Sequence, residues 1–203
     1  MAIKLAGSGA SEDAIKNIII ALQEVAGRTD LKVDFKTLTL GTQKGQQELA
    51  KNAQELTGKI AKEFELKVVY ASSSSVYGNP KKIPITENSE RTPINPYGNT
   101  KLEDEILAEK YSKDGVSIIG LRYFNVYGRG QTGSYAGVIT KFINQLKERK
   151  PPIIFGNGSQ IRDFIFVEDV ARANISAMNS KVSSGFFNIG TGITTSIQQL
   201  AQT

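Results

Sequence analysis

Apolar residues recur along this chain with two alternating periods, and that alternation predicts an α/β protein. Ala2–Ala6 is a brief apolar segment. From Glu12 the residues Ile15, Ile18, Ile19, Leu22 and Val25 fall on one side of a helix, with Ser11 as its N-cap. Leu31, Val33 and Phe35, then Leu38 and Leu40, alternate as in a strand with one slip in register, and Gly41 and Gly45 break it. Leu49, Ala53, Leu56, Ile60 and Phe64 return to spacings of three and four and predict a long helix. The apolar run Leu66–Tyr70 reads as a buried strand. Strand, helix, strand, helix, strand is the order of a sheet with crossover helices.

The second half continues in the same way. Pro80, Pro84, Pro93 and Pro96 keep the chain irregular until Tyr97, where a helix runs through Leu102, Ile106 and Leu107 to about Tyr111 and Gly115 closes it. Val116–Leu121 predicts a strand, Val138–Leu146 an amphipathic helix and Ile153–Phe155 a short strand. Glu168–Ser180 predicts a helix burying Val170, Ala173, Ile175 and Ala177, and Phe186–Ile189 a last strand. Thr195 or Ser196 would cap a helix at Ile197, but the sequence stops at Thr203, too soon for that helix to hold by itself.

Polar groups gather just past the predicted strand ends, where open α/β sheets bind ligands. Four serines, Ser72–Ser75, follow the strand at Leu66. Tyr97 and Lys101 stand four apart at a helix start, so both emerge on one face. An ammonium beside a phenol favours the phenolate, and with a serine hydroxyl the set suits proton movement coupled to hydride transfer. Alone, the Tyr–Lys spacing also arises by chance on many helices. Asn125, after the strand at Val116, could bond a ligand or cap the turn to Gly128. Arg162 could grip an anion with its fork or pair with Asp163 or Asp169. Gly7 and Gly9 lie in a strand–loop–helix layout that suggests a nucleotide turn, but position 12 is Glu where the fuller fingerprint needs glycine.

Composition narrows the chemistry. Cysteine and histidine are both absent from the 203 residues, which removes disulfides, thiol nucleophiles, cysteine-based zinc sites and the usual general base. Acid–base work falls to Tyr, Lys, Asp and Glu. Residues 1–65 carry nine basic and nine acidic side chains, so the whole net charge of +5 lies in residues 66–203. That suits an anionic small ligand, and the scattered basic residues without aromatic platforms give no support to a nucleic-acid role. No apolar run has the length of a membrane span and the first residues lack a signal-peptide profile, so a cytoplasmic protein is expected.

Residues 66–198 closely resemble the extended short-chain dehydrogenase/reductase family, above all its UDP-glucose 4-epimerase-like members. The resemblance rests on VVYASSSSVYG, NPYGNTK, LRYFNVYGRG, SYAGVITKFI, RDFIFVEDVARA and FNIGTG, in that order. It implies a Rossmann-like parallel sheet with crossover helices. Residues 1–65 would form an atypical βαβα segment completing the sheet, 66–136 the catalytic half, and 137–203 a partial, truncated sugar-nucleotide-binding region. The family's catalytic Ser/Thr falls on Ser73, its tyrosine base on Tyr97 and its helper lysine on Lys101, which in the family also touches the nicotinamide ribose. Phe124 falls on a position lining the nicotinamide, Asn125 on the asparagine contacting the sugar nucleotide, and Arg162 on the arginine contacting its diphosphate. The implied cofactor is NAD, the implied ligand a UDP-sugar, the implied assembly a homodimer. The implied reaction removes the hexose 4-hydroxyl proton to Tyr97 and its hydride to NAD, then returns the hydride to the other face. A family dehydratase would carry an Asp-Glu pair where Ser74 and Ser75 stand. The glycine loop and the acidic residue of the family's first half are missing apart from Gly7 and Gly9. A non-catalytic family member with little NAD binding is therefore the alternative expectation.

Overall fold

The computed structural model describes residues 43–131 and 137–203. Gly7, Gly9 and the elements predicted before Gln43 lie outside the described residues. The chain divides into two compact units, one reaching to Arg122 and including Ala177–Phe187, the other made of Tyr123–Ser176 and Asn188–Thr203.

The first unit holds a three-stranded parallel sheet in the order β1-β2-β6, with β1 at Val68–Ser73, β2 at Ile118–Tyr123 and β6 at Gly185–Ile189. Helix α1 spans Gln43–Glu63 and helix α2 spans Pro96–Lys113. Gly45, expected to break the preceding strand, lies inside α1, where a glycine costs about 1 kcal/mol relative to Ala and a long helix absorbs it. The core packs Ala61 of α1 and Ala108 of α2 against Val68, Tyr70, Val116 and Ile118. The close α1–α2 approach depends on Gly58, since a Cβ there would run into the Tyr111 ring. Tyr111 also donates its hydroxyl to the Glu55 carbonyl at 3.0 Å.

Strand β1 starts and ends later than its apolar run because Ser72 and Ser73 keep the extended backbone. Ser73 then caps a 3-10 turn, Ser74–Tyr77, by accepting the Ser75 N–H at 3.2 Å. Gly78 ends that turn at φ 61°, and a side chain there would collide with the Thr92 carbonyl. Helix α2 opens with Asn95 accepting the Gly98 N–H at 2.8 Å and with Pro96 in its first turn. A Cβ on Gly98 would stand 2.7 Å from the Ser75 carbonyl oxygen. Only glycine lets the start of α2 lie this close to the 3-10 turn.

In the second unit β3 (Asn125–Tyr127) pairs in parallel with β5 (Phe164–Phe166), Asn125 opposite Phe164. β4 (Ile161–Arg162) pairs antiparallel with β7 (Thr195–Ser196). Helices α3 (Val138–Lys147), α4 (Val167–Asn179) and α5 (Ile197–Gln202) complete the elements, α4 running on into the first unit's segment. Two expectations fail here. Ile153–Phe155 is not a strand: Pro151 and Pro152 precede it, and the Ile153 N–H bonds to the Gln145 side chain at 3.0 Å instead of to a ladder. Ile175 is 62% exposed, so the inward stripe of α4 consists of buried Val170 with half-buried Ala173 and Ala177. The short α5 is held by a reciprocal capping box between Ser196 and Gln199, which supplies the local support its length lacks.

Candidate functional site

Ser73, Tyr97 and Lys101 all belong to the first unit, gathered where β1 ends and α2 begins. Ser73 is half-buried, and its oxygen is taken by the Ser75 N–H, which leaves its proton free to donate. Tyr97, in the first turn of α2, is 44% exposed, and among the described residues its hydroxyl has no partner. Lys101, one turn on, is 4% exposed. Its ammonium donates to the Ala71 carbonyl at 3.1 Å and to Asp104 Oδ2 at 3.1 Å. Gln54 of α1 donates to the other oxygen of Asp104. Burial pushes the Asp104 carboxyl above its ordinary range, and Lys101 and Gln54 only partly oppose this.

Beside this trio lies a buried ionic cluster that spacing along the sequence does not reveal. Glu105 is fully buried and accepts from Arg122 twice, Nε and Nη2 each at 2.8 Å. It also accepts from Ser72 Oγ at 2.6 Å and Arg91 Nη1 at 3.0 Å. Arg122 further donates to the Tyr77 hydroxyl at 2.6 Å and the Glu87 carbonyl at 2.9 Å, with its guanidinium over the Tyr77 and Phe186 rings. Burial by itself would raise the Glu105 carboxyl; the bonds from Arg122, Ser72 and Arg91 outweigh it and hold the carboxyl below the usual range. The cluster ties α2 to β1, β2 and the 3-10 turn, and so fixes the backbone on which Ser73 and Tyr97 stand.

In the second unit Asn125 and Arg162 line one cavity of about 420 Å³, together with Tyr127, Val138, Phe155 and Ile197. That volume and this mixture of apolar walls with a few polar groups are ordinary for a small-molecule site. Asn125 is not a turn cap: its amide donates to the Asp163 carbonyl at 3.1 Å, just before β5. Arg162 makes no ion pair among the described residues. Its expected partners are engaged elsewhere, Asp169 by Arg172 and Asp163 by the loop after β6. Asp163 accepts from the Thr191 hydroxyl at 2.7 Å, the Thr191 N–H at 2.9 Å and the Gly192 N–H at 2.8 Å. A Cβ on Gly190 would stand 2.6 Å from that carboxylate, and 3.2 Å from the Phe124 ring. Phe124 is half-buried, with its N–H bonded to the Ile189 carbonyl at 3.0 Å.

The donor set fits a dinucleotide's ribose in one respect that the structure itself provides. Lys101 has two of three N–H groups committed and the third without a partner among the described residues. Of the residues that matter, sequence reasoning missed Gln54, Asp104, Glu105 and Arg122. The signals available were weak: Asp104 follows Lys101 at i,i+3, and Arg122 is a charge inside an apolar strand.

Comparisons with known proteins identify the family. Residues 36–190 match the model of the NAD dependent epimerase/dehydratase family. A Methanocaldococcus jannaschii protein provisionally named UDP-glucose 4-epimerase is 44% identical over 137 residues, 66% of this chain and 44% of that protein. The UDP-N-acetylglucosamine 4-epimerase of Methanobrevibacter ruminantium, solved with UDP-N-acetylmuramic acid, superposes with a TM-score of 0.71 at 34% identity over 74% of this chain and 50% of its own. The UDP-glucuronic acid 4-epimerase of Bacillus cereus, solved with NAD, gives 0.67 at 34% identity over 73% and 49%. The chain thus spans about half the length of the relatives it matches. With its motifs in order and its family match covering most of its length, the chain belongs to the NAD dependent epimerase/dehydratase family.

Proposed function

We propose that this chain serves the NAD-dependent epimerisation of a nucleotide sugar, UDP-glucose and UDP-galactose at C4. The observation that carries the reading is the convergence on one cavity of about 420 Å³ of Asn125 and of Arg162, which makes no ion pair among the described residues. A guanidinium fork without an internal carboxylate suits a diphosphate, and the apolar walls suit a base. Asn125 would contact the sugar nucleotide alongside it.

In the first unit Tyr97, as phenolate, would accept the proton of the hexose 4-hydroxyl. Ser73 would donate its hydroxyl proton to the same substrate oxygen. The N–H of Lys101 that has no partner among the described residues would hold a ribose hydroxyl, and Gly7 and Gly9 are assigned to the cofactor as well. In the second unit Phe124 is assigned to the nicotinamide. NAD, when bound, supplies the hydride acceptor. The same reading includes a cytoplasmic homodimer; among the described residues no helix is long and apolar enough to cross a membrane.

Calorimetric titration with UDP-glucose tests the pocket. Micromolar binding that falls about 10- to 100-fold in Arg162→Ala is expected, the size of a lost charge-assisted pair. Absence of binding at millimolar UDP-glucose would remove the proposal's basis.

A further inference from the structure

We propose that Asp163 is a positioning residue for the cavity lined by Asn125 and Arg162: anchored by the loop at Thr191 and Gly192, it fixes the backbone on which both side chains stand. The inference deepens the function proposed above and rests on its assignment of that cavity to a nucleotide sugar.

Asp163 lies between β4 and β5, directly after Arg162. Both of its ends are committed. Its carbonyl oxygen accepts from Asn125 twice, from the backbone N–H at 2.9 Å and from the side-chain amide at 3.1 Å. A carbonyl oxygen has two lone pairs, so this one is fully used, and it holds the Asn125 amide at the cavity wall. The carboxylate goes to the loop instead. It accepts from the Thr191 hydroxyl at 2.7 Å, the Thr191 N–H at 2.9 Å and the Gly192 N–H at 2.8 Å. Gly192 has a φ of 75°, open to glycine at no steric cost, and successive N–H groups there form a concavity for an anion. The Thr191 hydroxyl in turn accepts the Ile193 N–H at 3.1 Å, so the loop folds round the carboxylate. Of the neighbours Arg162 and Asp163, only Arg162 lines the cavity. Successive side chains of an extended chain leave on opposite sides, so an anchored Asp163 keeps Arg162 on the cavity side. Arg162 stands opposite Thr195 in the β4–β7 pair, and its guanidinium donates to the Ile161 carbonyl at 2.8 Å. No carboxylate holds that guanidinium among the described residues, so the orientation of its backbone decides where it goes. Thr191 does not line the cavity either, and a change there reaches a ligand only through what the loop positions.

Substitutions at both ends of the anchor test it. Asp163→Asn keeps the size of the side chain but sets an amide NH2 against the loop's donors. Thr191→Val removes one donor and leaves Asp163 in place, while Thr191→Ser keeps that donor and is the conservative control. UDP affinity is read by calorimetry and the Asn125 side-chain amide by proton–nitrogen NMR without ligand. Hydrogen exchange of the α3 amides reports loosening of the whole unit. Removing a negative charge beside an anion pocket would by itself tighten UDP binding, so the sign of the change separates positioning from a field effect. The expected result in Asp163→Asn and Thr191→Val is UDP binding about three- to tenfold weaker, with displaced Asn125 amide signals and unchanged α3 exchange. Thr191→Ser should match the wild type. In a protein already carrying Arg162→Ala and Asn125→Ala, Asp163→Asn should change UDP affinity less than about twofold, because the groups it positions are gone. Unchanged or tighter UDP binding in Asp163→Asn, or weaker binding with α3 amides exchanging faster as well, would overturn the proposal. A wild type that binds no UDP would remove the nucleotide reading instead. The Asn125 amide signals would still decide the positioning role, since signals unmoved in both variants overturn it.

Discussion

Glu105→Ala tests whether the buried cluster is what holds the backbone that carries Ser73 and Tyr97. The side chain is fully buried and accepts four hydrogen bonds, three of them from guanidinium groups. Its removal leaves Arg122, 2% exposed, with only the Tyr77 hydroxyl, the Glu87 carbonyl and two aromatic faces. Breaking a buried pair from one side costs about 3–5 kcal/mol, because the surviving charge stays desolvated. Against a total stability of roughly 5–15 kcal/mol that is a third or more of what holds a domain folded. Urea unfolding of the wild type, Glu105→Ala, Arg122→Met and the double variant, followed by circular dichroism, measures the loss and the coupling. Hydrogen exchange of the β1 and β2 amides assigns the loss to the first unit, as a chain of two units need not unfold in one step. The double variant should be less damaged than the sum of the single ones. A Glu105→Ala loss below about 1 kcal/mol, or strict additivity, would show that the cluster does not carry the packing assigned to it.

Other outcomes follow from the same geometry. Glu105, held below its ordinary 4.5, adds stability that is present above that value and lost as pH falls through its folded value. Asp104 has the opposite sign: raised above 3.8, its contribution is full below that value and is lost as pH rises through its folded value. Urea midpoints between pH 2 and 7 should therefore show an acid limb that Glu105→Gln flattens. Gly98→Ala should cost about 1–3 kcal/mol in the same assay, because the added Cβ meets backbone at 2.7 Å; a neutral result would mean that α2 can shift without loss. Gly190→Ala should displace the Asp163 carboxylate from Thr191 and Gly192, visible as faster exchange of those two amides.

Much of the sheet was legible because its strands are continuous apolar runs bounded by glycine, proline and serine. The ends of β1 and α2 carry their own punctuation in Ser73, Asn95 and Pro96. What escaped depends on contacts between residues far apart in sequence. Glu105 meets Ser72 across 33 residues and Arg122 across 17, and no local period encodes such pairs. Asp163 stood with Asp169 as the alternative to an anion for Arg162, but the loop carrying Thr191 and Gly192 offers it backbone donors 28 and 29 residues away. Ile153–Phe155 looked like a strand from its apolar side chains, whereas its preceding prolines and its bond to Gln145 settle the backbone otherwise. Each unit is assembled from separate chain segments.

The most direct measurement is the interconversion of UDP-glucose and UDP-galactose, followed by proton NMR with purified chain and saturating NAD, beside a Tyr97→Phe control. The proposed function predicts approach to the same mixture from either sugar, with Tyr97→Phe slower by at least about 100-fold for loss of its acid–base group. No interconversion from either direction, in protein shown to be folded, would contradict it.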